Sequence, residues 1–293
     1  MRKYRVRERL EYLFVVWLRS FLCKVPEVRR DKISAAIGKM LYFWLPVRKK
    51  TILENLKIAF PHRKEYWRRK ICFRCYLHFA KISFDFFPFY FADNKSFFRR
   101  VSIKNFRLME DLMKRGNGVV LTTFHFGNWE VLGDALARSG FDVVAIVRRQ
   151  KSEGFDSIVT QARTTNGIKV VSMNDNMTGI TRHLQRGGIL FIVPDQYAGK
   201  RGIDITFFGR KTKAFRGPAT FSLRLGCPIV LAWCNLVNGE YCVNLELLKT
   251  DSALESDDPI GEVTQSYFDY FEAKIRSVPE QYFWFHRRWK RGR

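Results

Sequence analysis

The chain has 293 residues, enough to bury a core for one large domain or two small ones. With 46% hydrophobic residues and 27 Phe it is no disordered tail, and its six Cys show no disulfide framework. The 52 Lys and Arg against 28 Asp and Glu give a formal charge of +24, which calls for a polyanionic partner and says nothing of fold.

The N-terminus is basic and carries an apolar run over 12–18, bounded by Glu11 and Arg19. A spanning helix needs roughly 20 mostly apolar residues, so this run reads as an interfacial helix with basic flanks. No small-residue cleavage site follows it, which argues against a signal peptide. A second apolar patch at 33–45 agrees with peripheral attachment. The expected location is the inner (plasma) membrane, peripheral or monotopic, on the cytoplasmic face where basic residues are retained. Residues 48–59 have helical spacing and stop before Pro61.

Over 66–100, bulky aromatics alternate with Arg and Lys, and Phe84, Phe86, Phe87, Phe89, Tyr90 and Phe91 crowd together. A nucleic-acid binder would show isolated stacking aromatics among basic residues. The pattern therefore favours an anionic bilayer surface over nucleic acid, with a helical core as the alternative. A helix break is expected at Phe87-Pro88-Phe89. Cys72 and Cys75 have CxxC spacing with His78 close behind, but a zinc site lacks a fourth ligand and a redox site lacks a preceding strand. Two reduced thiols one helical turn apart are expected, and no metal.

From Gly116 the texture changes. Strands are predicted at 119–124, 143–147, 169–173, 189–194, 229–235 and 241–247. Helices are predicted at 128–139, 155–165, 177–185, 218–225 and 260–278. This alternation implies an α/β fold with a mainly parallel central sheet covered by helices, whose ligands bind beyond the carboxyl ends of the strands. Residues 1–115 would form a helical, basic, membrane-associated region and residues 116–293 the α/β core, packed as one compact unit.

One strand end carries His125-Phe126-Gly127-Asn128-Trp129-Glu130. Asn128 can cap the following helix. From the first turn of that helix the Glu130 carboxylate can fold back on His125, fix its tautomer and raise the basicity of the other ring nitrogen. No G-x-S-x-G supplies a protein nucleophile, so the hydroxyl deprotonated would be the substrate's own. A structural junction that happens to hold a His and a Glu is the alternative.

HFGNWE resembles the His-x4-Asp/Glu signature of glycerolipid-type acyltransferases, and more narrowly that of the lipid A biosynthesis (lauroyl/myristoyl) acyltransferase family. The resemblance continues at Asn55-Leu56 through Phe60-Pro61, at Ile146-Val147-Arg148-Arg149, and at Arg163 with Gly167. It goes on at Val193-Pro194-Asp195-Gln196, at Phe207-Phe208-Gly209 with Gly217-Pro218, and at the ending from Pro279 to Lys290.

The resemblance implies a glycerolipid acyltransferase-like fold and acyl transfer from a thioester to a lipid hydroxyl. The acceptor would be a lipid A precursor or a related glycolipid, an aminolipid or phospholipid being the alternative. The donor would be acyl carrier protein or coenzyme A as co-substrate, with no cofactor. His125 would be the general base, Glu130 its orienter, and Arg163 would hold the catalytic acid or a substrate phosphate. Arg148, Asn128, Asp195, Gln196, Phe207, Phe208 and Gly209 would border the substrate. For Asp195 and Gln196 the choice is a sugar contact or a loop cap; for Phe207 and Phe208 it is an acyl groove or core packing. Competing functions are a non-catalytic membrane or nucleic-acid binder on the same fold and a hydrolase using His125 and Glu130 on water.

Overall fold

A computed structural model describes residues 6–150, 152–173, 177–250, 253 and 255–289. Six helices come first: α1 (Val6–Lys24), α2 (Glu27–Phe43), α3 (Lys49–Ala59), α4 (Glu65–Tyr90), α5 (Asn94–Phe98) and α6 (Phe106–Lys114). A short strand, β1 (Val101–Ile103), lies between the last two. Alternation then sets in: β2 (Val119–Thr122), α7 (Trp129–Arg138), β3 (Val143–Val147), α8 (Glu153–Thr164), β4 (Lys169–Ser172), α9 (Thr178–Gln185) and β5 (Ile189–Ile192). A hairpin, β6 (Ile203–Phe207) and β7 (Arg210–Ala214), precedes α10 (Gly217–Leu225), β8 (Ile229–Val237), β9 (Glu240–Leu247) and α11 (Pro259–Ser277).

Seven strands form one sheet in the order β1-β9-β8-β2-β5-β3-β4, parallel at every pairing except β8 with β9. Central strands of such a sheet are covered on both faces and read as unbroken apolar runs. Accordingly every residue of β2 (VVLT) and β5 (ILFI) is buried. The edge strand β4 is only partly covered. Chain direction around the sheet splits at β2, which has β5 on one side and β8 on the other. The crevice outside the carboxyl end of such a strand is where open α/β sheets bind ligands.

A single cluster of buried apolar side chains runs from Val15 and Leu56 through the sheet to Trp284. It includes much of the aromatic segment expected to face a bilayer. Phe79, Phe87, Phe89 and Phe97 are buried and pack edge-to-face on Phe283, Phe86, Tyr241 and one another. Much of the segment is therefore core, because α4 packs against α1, α2, α3 and α7. Nor does Pro88 break α4: it sits in the last turn, two residues before the helix ends. Cys72 and Cys75 are buried free thiols on α4.

Among the described residues no helix is long and apolar enough to cross a membrane. The first helix nevertheless has apolar residues on two sides. Val15 and Leu22 are buried, while Leu10, Leu13, Phe14, Trp17 and Phe21 are exposed. The exposed set is spaced i, i+3, i+4, i+7, i+11, one continuous helical stripe. Phe14 stacks on Trp17 and Trp17 on Phe21, with centroids 6.0 and 5.6 Å apart.

Candidate active site

His125 stands three residues beyond β2, and Asp195 three residues beyond β5. The two strands are parallel neighbours with Thr122 opposite Ile192, and Thr123 N–H donates to the Ile192 carbonyl at 3.0 Å. Equal extension past paired strand ends brings the two side chains together. His125 Nδ1 lies 2.6 Å from Asp195 Oδ1. Asp195 is 3% exposed. Burial alone would raise its pKa, but the His125 ring, the Arg288 charge and the His125 backbone N–H outweigh it and hold the carboxyl below its usual range. An ionised Asp195 can only accept, so Nδ1 carries the proton and Nε2 is the basic nitrogen.

The loop between His125 and α7 is pinned on both sides. Gly127 N–H donates to the Gln281 carbonyl at 2.8 Å, Asn128 N–H to the Cys234 carbonyl at 2.8 Å, and Phe283 N–H to the His125 carbonyl at 2.9 Å. Gly127 has φ +64, and a Cβ there would fall 1.8 Å from the Cys234 carbonyl oxygen. Only glycine fits this close approach between the loop and β8. Asn128 accepts from Val131 N–H at 3.1 Å and caps α7.

Glu130 makes its hydrogen bonds to residues other than His125. Its carboxylate takes Arg163 Nε at 3.0 Å and Nη2 at 2.5 Å, the Tyr90 hydroxyl at 2.9 Å and Trp129 Nε1 at 3.2 Å. Burial would raise the Glu130 pKa, yet Arg163 and the Tyr90 and Trp129 donors bring it below the usual value. Burial likewise opposes the Arg163 charge, but Glu130 overrides it and raises the guanidinium pKa. The cause of the departure is geometric. From α7 the Glu130 side chain faces α4 and α8, which carry Tyr90 and Arg163. Glu130 still reaches the base indirectly: the Trp129 ring it holds sits edge-on to His125, centroids 4.7 Å apart.

Other expected site residues fall elsewhere. Asn128 is 2% exposed, and its Oδ1 caps α7. Arg148 is exposed just past β3, and Gln196 is half-buried beside Asp195. Phe207 and Phe208 are buried. Phe207 pairs with Arg210, which leaves Phe208 and Gly209 as a two-residue hairpin turn with φ +53 and +69. Both central residues at positive φ is the type I′ geometry that suits the strand twist. Phe208 tolerates it because Phe60, Trp284 and Trp289 enclose its ring and its N–H is bonded to the Glu272 carboxylate. The Phe-Phe-Gly block is thus a turn locked into the core and not an acyl groove.

One contributor had no signal as a site residue in the sequence: Tyr90, inside a run of aromatics. Asp195 did have one, a polar residue leaving an apolar strand as His125 does.

The chain matches the family described as bacterial lipid A biosynthesis acyltransferase over residues 2–291. It belongs to that family. The match spans nearly the whole chain, so this is an acyltransferase. It is 21% identical over 280 residues to the lipid A biosynthesis lauroyltransferase of Escherichia coli (strain K12), covering 94% of this chain and 89% of the relative. It is 20% identical over 260 residues to the lipid A biosynthesis palmitoleoyltransferase of the same organism, covering 88% and 84%. Against a phosphatidylinositol mannoside acyltransferase of Mycolicibacterium smegmatis it is 21% identical over 179 residues, 59% of this chain and 57% of the relative. These relatives of the acyltransferase are named for different acyl chains and different acceptors.

Proposed function

We propose that the enzyme transfers a fatty acyl group from an acyl thioester, carried by acyl carrier protein, to a hydroxyl of a lipid A precursor or related glycolipid at the inner-membrane surface. The observation that carries this reading is the His125–Asp195 pair, 2.6 Å apart at the carboxyl ends of two central strands, in a chain of this family. His125 Nε2 takes the proton of the acceptor hydroxyl as its oxygen attacks the thioester carbonyl carbon. The tetrahedral intermediate then collapses, the C–S bond breaks, and the imidazolium returns its proton to the departing thiolate. Asp195 keeps Nδ1–H oriented and stabilises the imidazolium, the part a carboxylate plays behind a catalytic histidine generally. Glu130 and Arg163, as a bidentate pair, hold Trp129 against the other side of the ring. The α7 N-terminus beside the loop favours the negative charge developing on the carbonyl oxygen.

Contact with the membrane is assigned to the exposed stripe of α1, whose aromatic residues and basic flanks suit an anionic bilayer surface. The +24 charge serves the same surface, a phosphorylated acceptor and an acidic carrier protein.

The test is transfer of label from acyl carrier protein thioester to a panel of membrane lipids, comparing wild-type enzyme with His125→Ala. Label on one lipid, reduced about 10³-fold in the variant, is the expected result and names the acceptor. Equal transfer by the variant would refute the mechanism.

A further inference from the structure

The sheet stops holding the two loops of the site together one residue short of Asp195. Thr123 N–H donates to the Ile192 carbonyl at 3.0 Å, and the next bond of a parallel ladder would come from the N–H of residue 194. That residue is Pro194, which has no N–H to give. His125 and Asp195 both lie past this point, so their 2.6 Å contact needs another brace.

The segment after α11 supplies one. It is anchored first on β8, where the Gln281 side chain donates to the Leu236 carbonyl and accepts the Leu236 N–H, each at 3.1 Å. Phe283 N–H then donates to the His125 carbonyl at 2.9 Å, and the Phe283 ring lies 5.9 Å from the imidazole. Three residues on, His286 Nε2 accepts the Tyr197 N–H at 3.2 Å, two residues from Asp195. One short segment thus grips the backbone of both loops. Its far end is fixed by α3. The Asn55 amide, on a residue 4% exposed, donates to the Trp284 and His286 carbonyls, both at 2.7 Å. Arg48, at the start of α3, donates to the Phe285 carbonyl at 3.1 Å.

We infer that His286 and Asn55 are positioning residues for the transfer: His286 ties the Asp195 loop to the segment that holds the His125 loop, and Asn55 fixes that segment in place. The inference rests on the reading of His125 as the base.

Each side chain has the chemistry its place demands. The Tyr197 N–H needs an acceptor, and a ring nitrogen without a proton is one. Trp284 and His286 present carbonyl oxygens to α3, and an amide NH2 has two hydrogens to meet them. A single Asn55 therefore fixes the backbone on either side of Phe285. An acid at this position would set oxygens against oxygens. Loops without ladder bonds sample many backbone states, and each of these bonds removes some of them before a substrate arrives. The effect on rate is steep, because a shift of about 1 Å in a catalytic group costs about 100-fold.

The test compares His286→Phe and His286→Gln with wild-type enzyme, well below the melting temperature of each. Phe keeps the bulk and removes the acceptor, whereas Gln keeps an acceptor oxygen. In acyl transfer, kcat should fall about 30-fold in His286→Phe with KM for the acyl carrier protein thioester within about twofold, and His286→Gln should recover to within about threefold of wild type. Asn55→Ala should lower kcat about tenfold with KM again in place. Joined with His286→Phe it should lower kcat no further than the worse single variant, since both act through one segment. Mere loss of stability would instead lower the melting temperature and leave kcat per folded molecule intact. Wild-type kcat in folded His286→Phe, a Gln variant no better than Phe, or losses that multiply in the double variant overturns the inference. The His286 pair decides it even where Asn55→Ala does not fold. Full activity in His125→Ala would instead overturn the reading beneath it.

Discussion

Two carboxylates, Asp195 buried and Glu130 partly buried, lie near the same loop and do different work. Glu130 stands five residues from His125 in the chain and is bound head-on by an arginine, with both oxygens also taken by Tyr90 and Trp129. Asp195 stands 70 residues away and touches the His125 ring directly. The contrast separates a carboxylate whose charge is fully used in holding elements together from one left available to a histidine. It also shows that strand register, and not sequence spacing, decides which acid a histidine meets.

The largest way to break the arrangement is at the backbone both carboxylates depend on. Gly127→Ala places a Cβ against the Cys234 carbonyl, which belongs to β8 and cannot swing aside. Thermal or chemical unfolding should show a loss of about 3 kcal/mol or more, with acyl transfer lost at the same time. A variant as stable and active as wild type would mean the loop has a second conformation.

Arg163→Met sharpens the difference between the clusters. It leaves Glu130 as a partly buried carboxylate without its cation, which should cost about 2 kcal/mol in denaturant melts. Arg163→Met/Glu130→Gln should recover much of that loss, since both charges are then absent. Activity should fall less than in His125→Ala, because the base and Asp195 remain in contact. A double variant no more stable than Arg163→Met would show that the pair is not the reason for the loss.

The smallest effect concerns His78, a buried imidazole on α4. Burial pushes its pKa down to about 4 from an ordinary 6.5. The unfolded chain therefore takes up this proton first. The contribution of His78 to stability is complete above pH 6.5 and is lost as pH falls from 6.5 through 4. His78→Gln should flatten the decline of Tm over that window by a few degrees. An unchanged slope would show that other groups set the acid limit.

Much of the fold was legible because the central strands are short apolar runs between glycines and helical segments. The strands at 143–147 and 169–173 differ from β3 and β4 by one residue at most. The β6–β7 hairpin was not legible, since Arg210-Lys211-Thr212-Lys213-Ala214 has the composition of a solvated loop and pairs as a strand only because its partner and the C-terminal segment enclose it. The aromatic run over 66–100 was read as a surface because its arginines and lysines interrupt it. In α4 those charges lie on the outer turns while the rings face the core. At the site, His125 was identifiable from its place at a strand end. Its partner was not, because strand order β2-β5 is a tertiary fact that no local spacing records.

The measurement that tests the central claim most directly is the pH dependence of acyl transfer by Asp195→Asn and Glu130→Gln, prepared side by side. Asp195→Asn should lower kcat by about 10³-fold or more, because Nδ1 loses the acceptor that fixes the tautomer. Its residual activity should show a displaced acid limb. Glu130→Gln should lower kcat by roughly tenfold to 100-fold, through the Trp129 ring and the Arg163 charge left behind, with the acid limb in place. The reverse order, a severe loss in Glu130→Gln and near wild-type transfer by Asp195→Asn, would contradict the account and return the role of orienting His125 to Glu130.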